Sequence, residues 1–155
     1  MKPYYKQIRK FIGHNLLILP AVAARIGDKE NILLVKKRES KIWGLPAGAV
    51  EPNETAEEAL KREMLEELNA KIKIIKLRGI YTSPSFDYSY PNGDKVHPFI
   101  LFFDCEFVDN NMNFMPNKEV EEIRYFSLNN LPPMLKCCEM KVKDAFIESD
   151  RIFLK

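Results

Sequence analysis

Cysteine and histidine are scarce, and neither is spaced for a metal or a disulfide framework. Cys105, Cys137 and Cys138 make an odd number without zinc-site spacing, and adjacent Cys137 and Cys138 do not readily bridge one another. The expectation is a reduced, intracellular protein with inert thiols. A lone histidine such as His97, beside Pro98, reads as a hydrogen-bonded structural residue, and His14, beside Gly13, carries no sharper reading. No apolar run approaches bilayer length and no signal peptide is visible, so no membrane partner is expected and cytoplasmic residence is the default. Neither sign of charge dominates: the formal net charge of +2 argues neither for nor against nucleic acid. No internal repeat and no linker interrupt the chain. Its 155 residues suit one domain over 1–155, and 46% hydrophobic with 30% charged residues excludes a disordered composition.

What is present is concentrated in Gly48 to Asn69, GAVEPNETAEEALKREMLEELN. Thr55 and Glu58 form a capping-box pair ahead of a run of good helix formers. Asn69 stands where a left-handed cap belongs. On a helical wheel Leu60, Met64, Leu65 and Leu68 fall on one side, while Glu63, Glu66 and Glu67 fall on the other, flanked by Arg62 and beside Ala56 and Ala59. Like-charged neighbours cost an isolated helix about 0.2–0.5 kcal/mol per pair. Carboxylates gathered over small side chains suit a hard cation, because Mg²⁺ and Mn²⁺ prefer oxygen ligands. On the helix alone, a solvated acidic face is the simpler reading.

The residues upstream reverse that. Trp43-Gly44-Leu45-Pro46-Ala47-Gly48 makes a tight turn before the helix, with Glu54 between turn and helix. The whole stretch resembles the Nudix box. Gly48, Glu54, Arg62, Glu63, Met64, Glu66 and Glu67 stand at that motif's positions, and Asn69 replaces its final Gly. The resemblance covers roughly residues 17–135 and implies a Nudix-type α/β/α sandwich with a mixed β-sheet.

The remainder is consistent with that layout. Residues 1–12 place Tyr5, Ile8, Phe11 and Ile12 at helical spacing, ended by Gly13, as a helical extension (1–13) packed on the domain or on a second subunit. Leu16–Arg25 and Asn31–Lys37 are strand candidates across a polar, Gly-containing loop. Lys36, Lys37 and Arg38 form a basic cluster in which Arg38, or a neighbouring Lys, is placed to meet a substrate phosphate. Lys71–Tyr81 reads as another strand. In Tyr81–Asp94, Asn92-Gly93 predicts a hairpin pairing 87–90 with 95–108. Tyr88 and Tyr90 there are candidate platforms for a nucleobase. Val96–Val108 is apolar enough to be the central strand. Glu139–Ser149 reads as a closing helix.

The resemblance assigns Glu63, Glu66, Glu67 and the Gly48 carbonyl as ligands of Mg²⁺ or Mn²⁺, with Glu54 and Arg62 as a supporting pair. It makes Glu119, ahead of a Tyr125-Phe126 strand, the acidic group reaching in from outside the box, with Glu122 second. The general base stays open between Glu67 and Glu119. The implied reaction is metal-dependent hydrolysis of the pyrophosphate linkage of a nucleoside diphosphate derivative. Substrates range over ADP-ribose and other nucleoside diphosphate sugars, nucleoside triphosphates, dinucleoside polyphosphates and a 5′-triphosphorylated RNA end. A homodimer is a further expectation. Two alternatives use the same fold: a catalytically silent nucleotide sensor or binding module, which has no need of all three carboxylates, and an isoprenoid diphosphate isomerase, whose cysteine and acid contexts are not evident.

Overall fold

The apolar run at 95–107 is the strand around which the others assemble. The computed structural model describes residues 3–109 and 112–155. The first two residues of the N-terminal segment, and residues 110–111 in the polar stretch after the 96–108 strand, lie outside it. The elements are α1 (Tyr4–Ile12), β1 (Leu17–Ile26), β2 (Asn31–Lys37), β3 (Trp43–Gly44), β4 (Ala47–Ala49), α2 (Ala56–Leu68), β5 (Ile72–Tyr81), β6 (Tyr88–Ser89), β7 (Lys95–Phe107), β8 (Val120–Ser127), α3 (Lys136–Ala145) and β9 (Phe153–Leu154).

One mixed sheet runs β4-β1-β7-β5-β9, with β6 paired to β7, and a three-stranded sheet runs β3-β2-β8. β7 is central: it is parallel to β1, from Leu17 opposite Val96 to Ile26 opposite Cys105, and antiparallel to β5. Asn92-Gly93 forms the turn that pairs Tyr88 with Val96, with Gly93 at φ 91°. The β1–β2 hairpin passes from the first sheet to the second. Its loop is tied by Asp28, whose carboxylate accepts the Glu30 and Asn31 N–H groups at 2.8 Å each.

Alternate residues of β1 and β2 are buried in two separate clusters. Val22, Ala24, Leu33 and Val35 pack with Leu60, Met64 and Leu68 of α2, whereas Ala23, Ile32 and Leu34 pack with Tyr81, Phe102 and Val142 on the α3 side. A strand buried on both faces has helices on both faces, which is the α/β/α arrangement. Burial of each large α2 side chain stabilises the fold by about 1.5–3 kcal/mol.

Two expectations are corrected. Leu65 does not join the apolar side of α2: it is 47% exposed, because its wheel position lies beyond Leu68 and away from the sheet. The closing helix spans Lys136–Ala145 rather than 139–149, since a turn at Phe146, whose N–H bonds the Lys143 and Asp144 carbonyls, ends it early. The short strands β3, β4 and β9 carry too few residues for a period to show. The three cysteines are free thiols, and His97 hydrogen-bonds Asp87 at 2.5 Å. Among the described residues no helix is long and apolar enough to cross a membrane.

The second cluster encloses a charged network. Arg78 donates to both oxygens of buried Asp104, at 2.5 and 2.9 Å, and to the Asp144 and Ile147 carbonyls. Asp144 accepts the Tyr81 hydroxyl at 2.7 Å and the Lys155 ammonium at 2.9 Å. This ties α3 and β9 to the central sheet. Asp104→Ala leaves Arg78 buried with its principal partner gone. Urea denaturation should show a loss of about 3–5 kcal/mol, and a loss below about 1 kcal/mol would mean that the pair is solvated.

Candidate active site

The candidate site forms where α2 meets the turn that precedes it. The Thr55 hydroxyl accepts the Glu58 N–H, and the Glu58 carboxylate accepts the Thr55 N–H, so the helix start is set locally. Asn69 adopts the left-handed conformation at the other end, φ 51° and ψ 41°, and its N–H closes on the Leu65 and Met64 carbonyls. The capped helix packs on β1 and β4, and this orients its carboxylates.

Arg62 organises the N-terminal half. Its guanidinium donates to both oxygens of Glu54 (2.7 and 3.0 Å), to the Ala49 carbonyl (3.0 Å), to Glu63 (2.7 Å) and, longer, to Glu66 (3.4 Å). A bidentate guanidinium–carboxylate pair is among the strongest surface contacts available, and here it joins the turn to the helix. The Arg62 hydrogen bonds hold the Glu54 carboxyl below its usual range and hold the guanidinium firmly charged. Glu54 also accepts the Glu51 N–H at 2.7 Å, and Glu51 accepts the Tyr4 N–H at the start of α1 at 2.9 Å.

Glu63 and Glu67, one helical turn apart, are both buried; Glu66 is half exposed. Burial raises the Glu63 carboxyl pKa, against the pull of Arg62. Glu63 lies so close to Gly48 that a Cβ built there would overlap its carboxylate, so any side chain at this position of β4 would have to push that carboxylate aside. Glu67 is fully shielded from water, and its Oε2 accepts the Ala47 N–H at 3.2 Å. Its Oε1 makes no ordinary hydrogen bond and is pressed by the Lys37 ammonium, which also lies 3.5 Å from the Ala47 carbonyl. Burial lowers the Lys37 pKa, opposed by the carboxylates of Glu63 and Glu119.

Glu119 is exposed on the loop before β8. Asn117 holds that loop: its side-chain amide donates to the Glu66 and Glu67 carbonyls at 3.1 and 2.9 Å, and its oxygen accepts the Glu119 and Val120 N–H groups at 2.9 Å each. Arg38 does not reach into the carboxylate cluster. Its guanidinium donates to the Asn117 carbonyl at 2.9 Å and its N–H to the Glu119 carbonyl at 2.8 Å. Glu122 pairs with Lys36 at 3.1 Å, away from the box. Tyr88 and Tyr90 lie with ring centroids 4.8 Å apart at 60°, Tyr90 being 43% exposed.

Asn117 escaped the sequence reading, and Lys37, read there within the basic cluster for a phosphate, meets Glu67 instead. That contact was legible in principle: with Leu33 and Val35, Lys37 continues the every-second-residue row of β2 that faces α2. Asn117 had only a turn-forming side chain to suggest it, and nothing local pointed to α2.

Among the described residues, no three His, Cys, Asp or Glu side chains converge on one point suited to a metal. Arg62 and Lys37 occupy oxygens of the box carboxylates. The donor set still fits a hard divalent cation, for it is all oxygen, and the buried Glu67 Oε1 already faces a positive charge, the Lys37 ammonium. The Gly48 cradle brings backbone and carboxylate together.

The chain is similar to known proteins in sequence and in fold. The NUDIX domain family model matches residues 18–145. An ADP-ribose pyrophosphatase of Methanocaldococcus jannaschii is 35% identical over 151 residues, covering 92% of this chain and 85% of that protein. The NAD-capped RNA hydrolase NudC of Pseudomonas syringae is 29% identical over 120 residues, 76% of this chain but 39% of the relative. The crystal structure of an ADP-ribose pyrophosphatase from Streptococcus suis superposes with a TM-score of 0.71 at 20% identity, covering 88% of this chain and 98% of that one.

Gly48→Ala should displace the Glu63 carboxylate and lower kcat by about 100-fold or more, a loss typical of misplaced groups, with a circular dichroism spectrum like wild type. Asn117→Ala frees the Glu119 loop and two α2 carbonyls. It should cost about 1–3 kcal/mol in chemical denaturation, with kcat falling more than KM changes.

Proposed function

This chain belongs to the Nudix family and is a pyrophosphohydrolase, and from that premise we propose that it cleaves the diphosphate linkage of a nucleoside diphosphate derivative, with ADP-ribose the first substrate to test. The observation that carries the proposal is the set of carboxylates on α2, two of them buried, held against the Gly48 turn by Arg62 and Lys37. The named activity of the M. jannaschii relative supports ADP-ribose over the other candidates.

In this reading Glu63, Glu66, Glu67 and the Gly48 carbonyl hold Mg²⁺ or Mn²⁺. A bound cation there would neutralise charge developing on the diphosphate and acidify water. The chain's own groups do the rest. Arg62, anchored on Glu54 and the Ala49 carbonyl, orients Glu63 and Glu66. A carboxylate takes the proton of the attacking water, either Glu67 on the helix or Glu119 on the Asn117-braced loop. Tyr88 and Tyr90 offer ring faces to the base, and Arg38 stands at the loop beside Glu119 for a phosphate. Cytoplasmic residence completes the proposal.

The expected products from ADP-ribose are AMP and ribose 5-phosphate, formed only with a divalent cation and read by nucleotide chromatography. Nucleoside triphosphates, dinucleoside polyphosphates, NAD and 5′-triphosphorylated RNA serve as the comparison panel. Glu66→Gln and Glu67→Gln should each reduce turnover by about 100-fold or more, and near-normal rates in both would overturn the assignment. Glu119→Gln separates the two candidate bases: a loss of about 100-fold or more favours Glu119, and a small effect moves the role to Glu67.

A further inference from the structure

We propose that Lys37 is the resident counter-ion of the metal site, a built-in cation that must leave Glu67 before a divalent ion can bind. The inference rests on the reading of Glu67 as a ligand. It starts from the two cations that touch the box carboxylates, which are held very differently. Arg62 is fastened at several points, to Glu54, the Ala49 carbonyl and Glu63. It belongs to the scaffold. Lys37 has one close contact, with Glu67, and a long one of 3.5 Å to the Ala47 carbonyl.

Strand geometry aims Lys37 at the helix. The β2–β8 register slips between Lys36 and Lys37, so that Lys36 stands opposite Glu122 and Lys37 opposite Val120. Successive residues of a strand point to opposite faces of the sheet. Lys36 takes Glu121 and Glu122 as partners on the β8 side, and Lys37 follows Leu33 and Val35 toward α2. It ends on the most deeply buried carboxylate of the site.

A fully buried Glu67 without a neighbouring cation would carry an unpaired charge, which is strongly disfavoured. Lys37 removes that penalty when no metal is present. An ammonium and a divalent ion on the same carboxylate repel each other, so the two exchange. Only one partner has room to move: the Lys37 side chain is 36% exposed, whereas that of Glu67 is 0% exposed. A flexible four-carbon stem lets the ammonium swing to water while its base stays in the strand. Metal affinity is therefore set by competition with an internal cation, and the charge of Glu67 stays balanced while the box is empty.

The test titrates Mn²⁺ alone into the full chain, without substrate, by calorimetry and by electron paramagnetic resonance of free Mn²⁺. Melting temperatures are taken with and without Mn²⁺. Lys37→Met should bind Mn²⁺ about tenfold or more tightly than wild type. It should melt below wild type without the ion and recover with it. Lys37→Gln, which keeps a polar tip, should show the same tightening if Lys37→Met fails to fold. Lys36→Met removes equal charge from the opposite face and should leave the affinity within about twofold, so that general electrostatics is separated from exchange. Unchanged or weaker Mn²⁺ binding in the Lys37 variants overturns the inference. If wild type and Glu67→Gln both fail to bind Mn²⁺, the metal-ligand reading itself falls. Loss of binding in Glu67→Gln alongside unchanged binding in both Lys37 variants sinks only the role of Lys37.

Discussion

A carboxylate shut away from water stays charged only with a cation or hydrogen-bond donors beside it, and the box helix carries two buried ones. Glu63 and Glu67 are enclosed between α2, the Gly48 turn and β2. Their charge is balanced by Arg62 from the same helix and Lys37 from a strand distant in sequence. The like-charge crowding that an isolated helix would resist is relieved by these cations. The helix, the turn and the second sheet are thereby bound to one another through the site itself.

That constraint explains details that would otherwise stand alone. Gly48 lies where a methyl group would strike Glu63. Glu54 accepts both the Arg62 guanidinium and the Glu51 N–H, so the turn is held at its middle and at its end. Asn117 reaches the last carbonyls of α2 and simultaneously shapes the loop of Glu119. Helix C-termini leave carbonyls without intrahelical donors, and here a side chain from the far sheet supplies them. Stability and site geometry are served by the same bonds, so the site is rigid on the Arg62 side and adjustable on the Lys37 side.

A second buried charged group, Arg78–Asp104 with Asp144, Tyr81 and Lys155, lies on the α3 side of the sheet. Its carboxylates are matched by cations with short, well-directed bonds. It fastens the end of the chain and α3 to the strands. The two networks differ in how their cations are held: Arg78 donates four hydrogen bonds, whereas Lys37 meets Glu67 through a single close contact.

Much of this was legible before the fold was known, because it is local. The capping box, the Asn69 cap, the Asn92-Gly93 turn and the apolar strand read at 96–108 depend on near neighbours, and the structure contains each, the strand as Lys95–Phe107. The spacing of Gly48, Glu54, Arg62, Glu63, Glu66 and Glu67 was sufficient for the family. Helical periodicity alone misplaced Leu65, since a wheel does not say which arc meets the sheet. It also could not say that Glu63 and Glu67 are buried and Glu66 is not. Lys37, Asn117 and Arg78 required the tertiary structure: Glu67 for Lys37, the Glu67 carbonyl for Asn117 and Asp104 for Arg78 lie 26 or more positions away, and no local pattern encodes a contact that only packing brings together.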